Sequence, residues 1–265
     1  MGGDLGRRLL YAAPAVAFAV FIIYEGGWIF AAGIAILGVI AVHELSVMLE
    51  RAHPVRLASM LGVLGMIVAG TAGNQGSVLL ALAASVPVTF WLAVLMPQRE
   101  RITASISVTL MTIVWLGLGV SHAALLRGLD HGGALVFMVL LGTFLGDTAA
   151  YLGGRALGRR PLAPRISPNK TVEGLAIGAA FATLAVWYMS RTYSGDWISG
   201  TDGLLLGLAV AIAAPMGDLF ESLIKRDMGT KDTGSLFGPH GGVLDRVDAA
   251  LFALVAGYYV WHALA

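Results

Sequence analysis

The chain has 265 residues, of which 57% are hydrophobic and 12% charged; 35 are glycine, none is cysteine, and the mean hydropathy is +0.80. That balance is the profile of a polytopic membrane protein and argues against a soluble core. The missing cysteines exclude disulfides, thiolate catalysis and zinc-thiolate sites, while the formal net charge of +1 says nothing of partners, because in a membrane protein the distribution of charge outweighs its sum.

A hydrocarbon core ~30 Å thick is crossed by ~20 helical residues. Apolar runs of that order predict spans near 9–24, 28–49, 57–73, 77–96, 103–126, 134–157, 173–190, 203–226 and 243–264. The first run begins after Arg7 and Arg8 and leads into further spans, so it reads as a span and not as a cleavable leader. With the connections alternating sides, all of the 17 lysines and arginines except Arg127 and Arg191 fall on one side. Fusing neighbouring spans spoils that split, so the positive-inside rule predicts an all-α polytopic integral membrane protein of about nine transmembrane helices with a cytoplasmic N-terminus. The C-terminus then lies outside. No internal repeat, low-complexity tract or soluble domain interrupts the pattern, and the longest polar connections, 155–171 and 226–242, both fall on the cytoplasmic side.

In the second span, His43 and Glu44 read either as a local polar pair near the interface or as groups approaching a cytoplasmic cavity. Small residues four apart, Gly142 and Gly146 or Gly207 and Ala211, predict close helix packing in lipid. Three carboxylates fall inside or at the cytoplasmic ends of spans: Asp147 in the sixth, Asp218 and Glu221 in the eighth. A mid-membrane Asp costs ~2.5–3.5 kcal/mol on insertion scales, so such a group normally faces the bundle interior or a wet cavity. Asp218, Glu221, Ser222 and Lys225 share one helix face at i, i+3, i+4 and i+7. That face reads as part of a site, or more simply as a Glu221–Lys225 ion pair that softens burial. Pro215 cannot donate to the carbonyl of Ala211, which predicts a kink or break where the polar face begins.

The stretch Arg155 to Thr171 carries four arginines and leads into ISPNKTVEG, Ile166 to Gly174. Ser167, Asn169, Lys170 and Thr171 suit contact with phosphate or a nucleotide, and Glu173 suits ordering of the loop; ordinary helix capping accounts for Thr171 and Glu173 equally well. After the eighth span, glycines alternate with Asp227, Lys231 and Asp232 up to His240, a pattern that lets backbone and cations approach phosphate oxygens. His240 by itself reads as readily as a bystander. Asp245 and Asp248 open the ninth span at i, i+3, either as site groups or as acids favoured by the helix dipole. Carboxylates from two helices and a basic, glycine-rich loop suggest a divalent cation, with Mg2+ the natural candidate, holding a polyphosphate. No GxxxxGK[ST] or GxGxxG motif supports a P-loop or Rossmann site.

The stretch Ser222 to Asp248 resembles the signature of the phosphatidate cytidylyltransferase, or CDP-diacylglycerol synthase, family. Ser222, Lys225, Arg226, Lys231, Asp232, Gly234, Phe237, Gly238, His240, Gly241, Gly242, Asp245, Arg246 and Asp248 all fall at that family's spacing, and Gly146 to Gly174 is similar to its second polar segment. The first five spans match only in character. The resemblance implies a variable N-terminal region over 1–132 and a catalytic region over 133–265, integrated in one membrane domain. It implies transfer of CMP from CTP to phosphatidate, with release of pyrophosphate, on the cytoplasmic side of a bacterial-type plasma membrane. Asp218 and Asp245 are then expected as Mg2+ ligands, and Lys225, Arg226, Lys231, Asp232 and Asp248 as catalytic groups. Ser167, Lys170, Thr171, Glu173, Ser222, His240 and Arg246 are expected to bind substrate, with Asp147 and Glu221 lining the site. K+ beside Mg2+ and a homodimer are both compatible with the family; membrane lipids are partners, and nucleic acid is not. Competing expectations are a CTP-using enzyme with an isoprenoid-lipid acceptor, a polyprenol kinase, and a cation or proton transporter, the last disfavoured by charge clustered near one end.

Overall fold

The structure, a computed structural model, describes residues 2–96, 101–192, 196–234 and 241–264. Helices dominate: α1 Gly2–Glu25, α2 Gly27–Met48, α3 Arg56–Ala72, α4 Gln75–Val94, α5 Ile102–Thr112, α6 Leu118–Arg127, α7 Gly132–Leu157, α8 Val172–Thr192, α9 Gly200–Asp227 and α10 Leu244–Leu264. A π-helical turn, Ile113–Gly117, joins α5 to α6, so 102–127 is one helical run. Every predicted span lies on a helix or on that run. Among the described residues, seven helical segments are long and apolar enough to cross a membrane, and two shorter apolar helices, Ala13–Glu25 and α3, accompany them. The chain is an all-α polytopic membrane protein. Large apolar side chains such as Phe21, Leu80, Trp91, Phe181 and Ile212 are exposed on it, as lipid-facing surface requires.

Two compact units divide the chain: Met1–Leu129 with Asp232–Arg246, and Asp130–Lys231 with Val247–Ala265. In the first, α3 packs against α2, α4 and α6 around Val42, Leu45, Val63, Met66, Ile113 and Leu126, all essentially inaccessible. A Cβ at Gly70 of α3 would stand 2.6 Å from the Ser121 carbonyl oxygen of α6, so the glycine sets how closely those backbones approach. Arg127 ends the run 102–127 by donating from Nε to the Ile23 carbonyl at 2.7 Å and from a terminal nitrogen to the Tyr24 carbonyl at 3.1 Å. It thereby satisfies carbonyls at the end of α1 that have no intrahelical partner.

In the second unit α8 packs between α7 and α9. The expected small-residue contacts are present. A Cβ at Gly146 would meet the Ala182 methyl at 3.0 Å, and one at Gly207 would meet the Thr183 backbone at 2.8 Å. Ser199 and Asp202 form a capping box that starts α9. The helix runs unbroken through Pro215, contrary to the expected interruption as a break; only the carbonyl one turn upstream loses its donor, and packing on both sides holds the helix together. The connection 155–171, read as loop, instead forms a hairpin of β1 Pro161–Ala163 and β2 Ser167–Thr171, antiparallel, with Pro161 opposite Thr171 and Ala163 opposite Ser167.

Candidate active site

In the second unit the polar face of α9 meets groups from three other elements. Lys170, on β2, forms an ion pair with Asp218, and each side chain keeps less than a third of its surface. The Ser222 hydroxyl donates to the other Asp218 oxygen at 3.4 Å. One turn on, Lys225 pairs with the wholly buried Glu221, the ion pair expected of that face. Asp147, from α7, lies within electrostatic range of both Asp218 and Lys170. Asp248, from α10, is buried against Glu221, with which it shares a hydrogen bond, and also feels Asp218. Four carboxylates and two ammonium groups thus form one cluster. A narrow groove runs between α7, α8 and α9 to Asp147, past Gly146, Gly178, Ala182 and Ala214.

The hairpin is tied into this cluster at both ends. Glu173 accepts from the backbone N–H groups of Arg159 at 3.0 Å and Arg160 at 3.1 Å, while its other oxygen takes Arg160 Nε at 3.0 Å. Thr171 Oγ1 accepts from Gly174 N–H at 3.1 Å and so caps α8. Thr171 thus caps the helix, while Glu173 orders the preceding loop. Arg226, at the end of α9, donates from Nε to the Ile166 carbonyl at 3.0 Å. Together with the Lys170–Asp218 pair this brings 155–174 and the end of α9, 218–227, into one place. Ser167 is half-buried on β2, next to the strand's exposed Pro168 and Asn169.

In the first unit, the segment around the start of α10 folds around two acids. Asp245 Oδ2 accepts from Gly242 N–H at 2.7 Å, Thr233 N–H at 3.0 Å and the Thr233 hydroxyl at 2.9 Å. Gly241 takes φ +81°, a conformation that suits glycine, and a Cβ there would meet Asp245 Oδ2 at 2.5 Å. Glu44, reaching in from α2, accepts from Val243 N–H at 3.0 Å and Leu244 N–H at 2.9 Å, one on each oxygen. His43, its neighbour, is exposed. Asp232 and Arg246 are exposed here, as Lys231 is at the edge of the second unit. His240, with Phe237 and Gly238, lies outside the described residues.

Of the residues expected at the site, Asp147, Lys170, Asp218, Glu221, Ser222, Lys225 and Asp248 are brought together in the second unit; Asp245 is set among Thr233 and Gly242 in the first. Sequence reading left Thr233 unnoticed and Glu44 undecided. A lone carboxylate in an apolar span was the available signal for Glu44, but its partners are backbone N–H groups, which no residue pattern displays.

A polytopic helical membrane protein, with a mixed carboxylate and lysine cluster held by helix ends and a short hairpin, is the class these features define. Residues 6–264 match the model of the Cytidylyltransferase family, and the chain belongs to that family. It is 29% identical over 267 residues to the phosphatidate cytidylyltransferase of Bacillus subtilis, covering 97% of each chain. It is 36% identical over 164 residues to that of Mycobacterium leprae, covering 61% of this chain and 51% of the relative, and 34% identical over 167 residues to that of Mycobacterium tuberculosis, covering 62% and 49%. The match spans about half the length of these mycobacterial relatives.

Proposed function

We propose that the protein is a phosphatidate cytidylyltransferase, joining CTP to phosphatidate to give CDP-diacylglycerol and pyrophosphate. The observation that carries this reading is the convergence of 155–174 and the end of α9 through the Lys170–Asp218 pair and the Arg226–Ile166 contact. In the reaction a phosphate oxygen of phosphatidate bonds to the α phosphorus of CTP. The bond between that phosphorus and the bridging oxygen breaks, and pyrophosphate leaves with the electron pair. No protein nucleophile is needed; the work is positioning and charge stabilisation. Lys170 and Lys225 suit it because each ammonium is already held by a carboxylate and costs little reorganisation when phosphate arrives. Arg226 at the end of α9 and Lys231 beyond it add cations; Asp248 orients the cluster from α10, Asp232 is assigned a catalytic role on the motif, and Ser167, Thr171, Glu173, Ser222, His240 and Arg246 are assigned to substrate by the same resemblance.

Mg2+ fits the donor chemistry. The acids of the cluster offer hard oxygen ligands and the chain contains no thiolate, although among the described residues no three acids or histidines are already grouped as a metal cage. Asp218 and Asp245 are the proposed ligands, each within its own unit. When bound, the ion supplies positive charge that offsets the triphosphate. Nine crossings, a cytoplasmic N-terminus and a site facing the cytoplasm of a bacterial plasma membrane are supported by the one-sided lysines and arginines and by helices at all nine predicted positions.

The test is purified protein in detergent with phosphatidate, Mg2+ and CTP labelled at the α or γ phosphate. Appearance of the α label in the lipid with equimolar pyrophosphate, abolished by chelating Mg2+, is expected. Transfer of the γ label would make the protein a lipid kinase, and transfer of neither would sink the proposal.

A further inference from the structure

Glu44 is buried, 6% exposed, in the otherwise apolar α2, and it lies 199 and 200 residues from the two groups it binds. Those groups, Val243 N–H and Leu244 N–H, are among the donors at the start of α10 that lack an intrahelical partner. Helices normally satisfy such donors with a side chain a few residues away; here an acid from a distant helix does so with both oxygens, and the partial positive charge of the helix end favours its negative charge.

The loop is shaped around this carboxylate. A Cβ at Gly242 would stand 2.4 Å from both Glu44 oxygens, and one at Gly234 would stand 2.5 Å from Oε1. Neither glycine has a positive φ, so an alanine could adopt either backbone conformation; what excludes a side chain is Glu44 itself. On its other side the same turn is held by Asp245, through Gly242 N–H and Thr233. Two acids therefore hold consecutive N–H groups, Asp245 that of residue 242 and Glu44 those of 243 and 244.

We infer that Glu44 is a positioning residue: it caps α10 from α2 and fixes the glycine-rich turn, and with it Asp245 and Arg246, in the arrangement that substrate meets. The catalytic part of this inference rests on the cytidylyltransferase reading; the capping part does not. Glu44→Gln is nearly isosteric but keeps one oxygen and sets an N–H donor against an N–H donor. Hydrogen exchange followed by mass spectrometry in detergent should show the amides of Thr233 and 242–244 exchanging at least ~10-fold faster in this variant, with α3 and α6 unchanged. Turnover should fall ~10- to 100-fold, mostly in kcat, the range typical of groups that orient others. The exposed His43→Ala serves as control and should alter neither. In a second test, Gly242→Ala should impair the wild type strongly yet add little to Glu44→Ala, because the side chain it collides with is gone.

Unchanged exchange at 242–244 in Glu44→Gln, acceleration spread over the whole first unit, or additive Gly242 and Glu44 losses would each overturn the inference. Should the wild-type protein fail to transfer CMP, the functional reading falls while the exchange result still decides whether Glu44 holds the turn.

Discussion

Replacing Lys170 with alanine probes the cluster at its most informative point. The residue links β2 to Asp218 of α9 and is one of two ammonium groups among four carboxylates. Its removal leaves Asp218 beside Asp147 and Asp248 with a single lysine, Lys225, in the cluster, and that lysine is already engaged by Glu221. The pair is neither surface nor core, with side chains 28% and 30% exposed. The stability loss should accordingly fall between the ~0–1 kcal/mol of exposed pairs and the ~3–5 kcal/mol of buried ones, at ~1–2 kcal/mol. The catalytic loss should be larger. A preorganised cation that meets a transferring phosphoryl group is worth ~10²–10³ in rate, or ~3–4 kcal/mol of barrier. The assay is CMP transfer at saturating CTP and phosphatidate, with thermal unfolding in the same detergent to separate the two effects. Lys170→Arg should recover part of the rate, since it keeps the charge but not the compact ammonium. A Lys170→Ala protein that is folded and loses less than ~10-fold, about 1.4 kcal/mol, would refute the assignment of Lys170 to the reacting phosphates.

Three other variants test different links. Arg127→Ala removes two charge-assisted bonds to the end of α1 and should cost ~1.5–3 kcal/mol in thermal stability while the turnover per folded molecule stays within about twofold; a specific loss of turnover would instead place Arg127 near the chemistry. Gly178→Ala puts a Cβ 2.7 Å from the Gly146 carbonyl and should destabilise by ~1–3 kcal/mol, whereas Gly65→Ala, with open space around it, should be neutral or stabilise by up to ~1 kcal/mol; equal effects in thermal unfolding would show that α7 and α8 are not in contact there. Asp245→Asn keeps the size and one acceptor oxygen but removes the negative charge, and turnover should drop ~10²-fold or more; near-normal activity would refute the metal role of Asp245.

The helices were legible because lipid imposes one rule on every residue that faces it. A run of ~20 apolar residues that faces lipid must satisfy its backbone groups internally and so forms a helix, and the predicted limits lie within a few residues of the observed ends except at α1, which starts earlier. The polar face of α9 was legible for the same reason: Asp218, Glu221 and Lys225 are costly enough in a span to imply partners. The hairpin was not. Pro161, Pro164 and Pro168 and the charges around them resemble loop, and nothing local shows that Glu173 will gather the N–H groups of Arg159 and Arg160. Glu44 failed to resolve for a related reason, since its partners are main-chain donors contributed by residues named valine and leucine.

The packing and the chemistry of the second unit have a common cause in α9. Gly217 stands one residue before Asp218, and a Cβ there would lie 2.4 Å from the Asp248 carbonyl oxygen and 3.1 Å from the Ala249 Cα. The missing side chain lets α10 lie directly on α9 at that level, which is how buried Asp248 comes to share a hydrogen bond with Glu221. On the opposite flank Gly146 and Gly178 let α7 and α8 approach closely, and Asp147 follows Gly146 as Asp218 follows Gly217. In both helices the residue that permits backbone contact is next to the acid that joins the cluster. Such an arrangement makes the acids hard to separate, and Lys170 and Lys225 each pair with one of them. A larger residue at 217 should therefore harm the protein in a particular way, by moving Asp248 away from Glu221 before it unfolds the bundle.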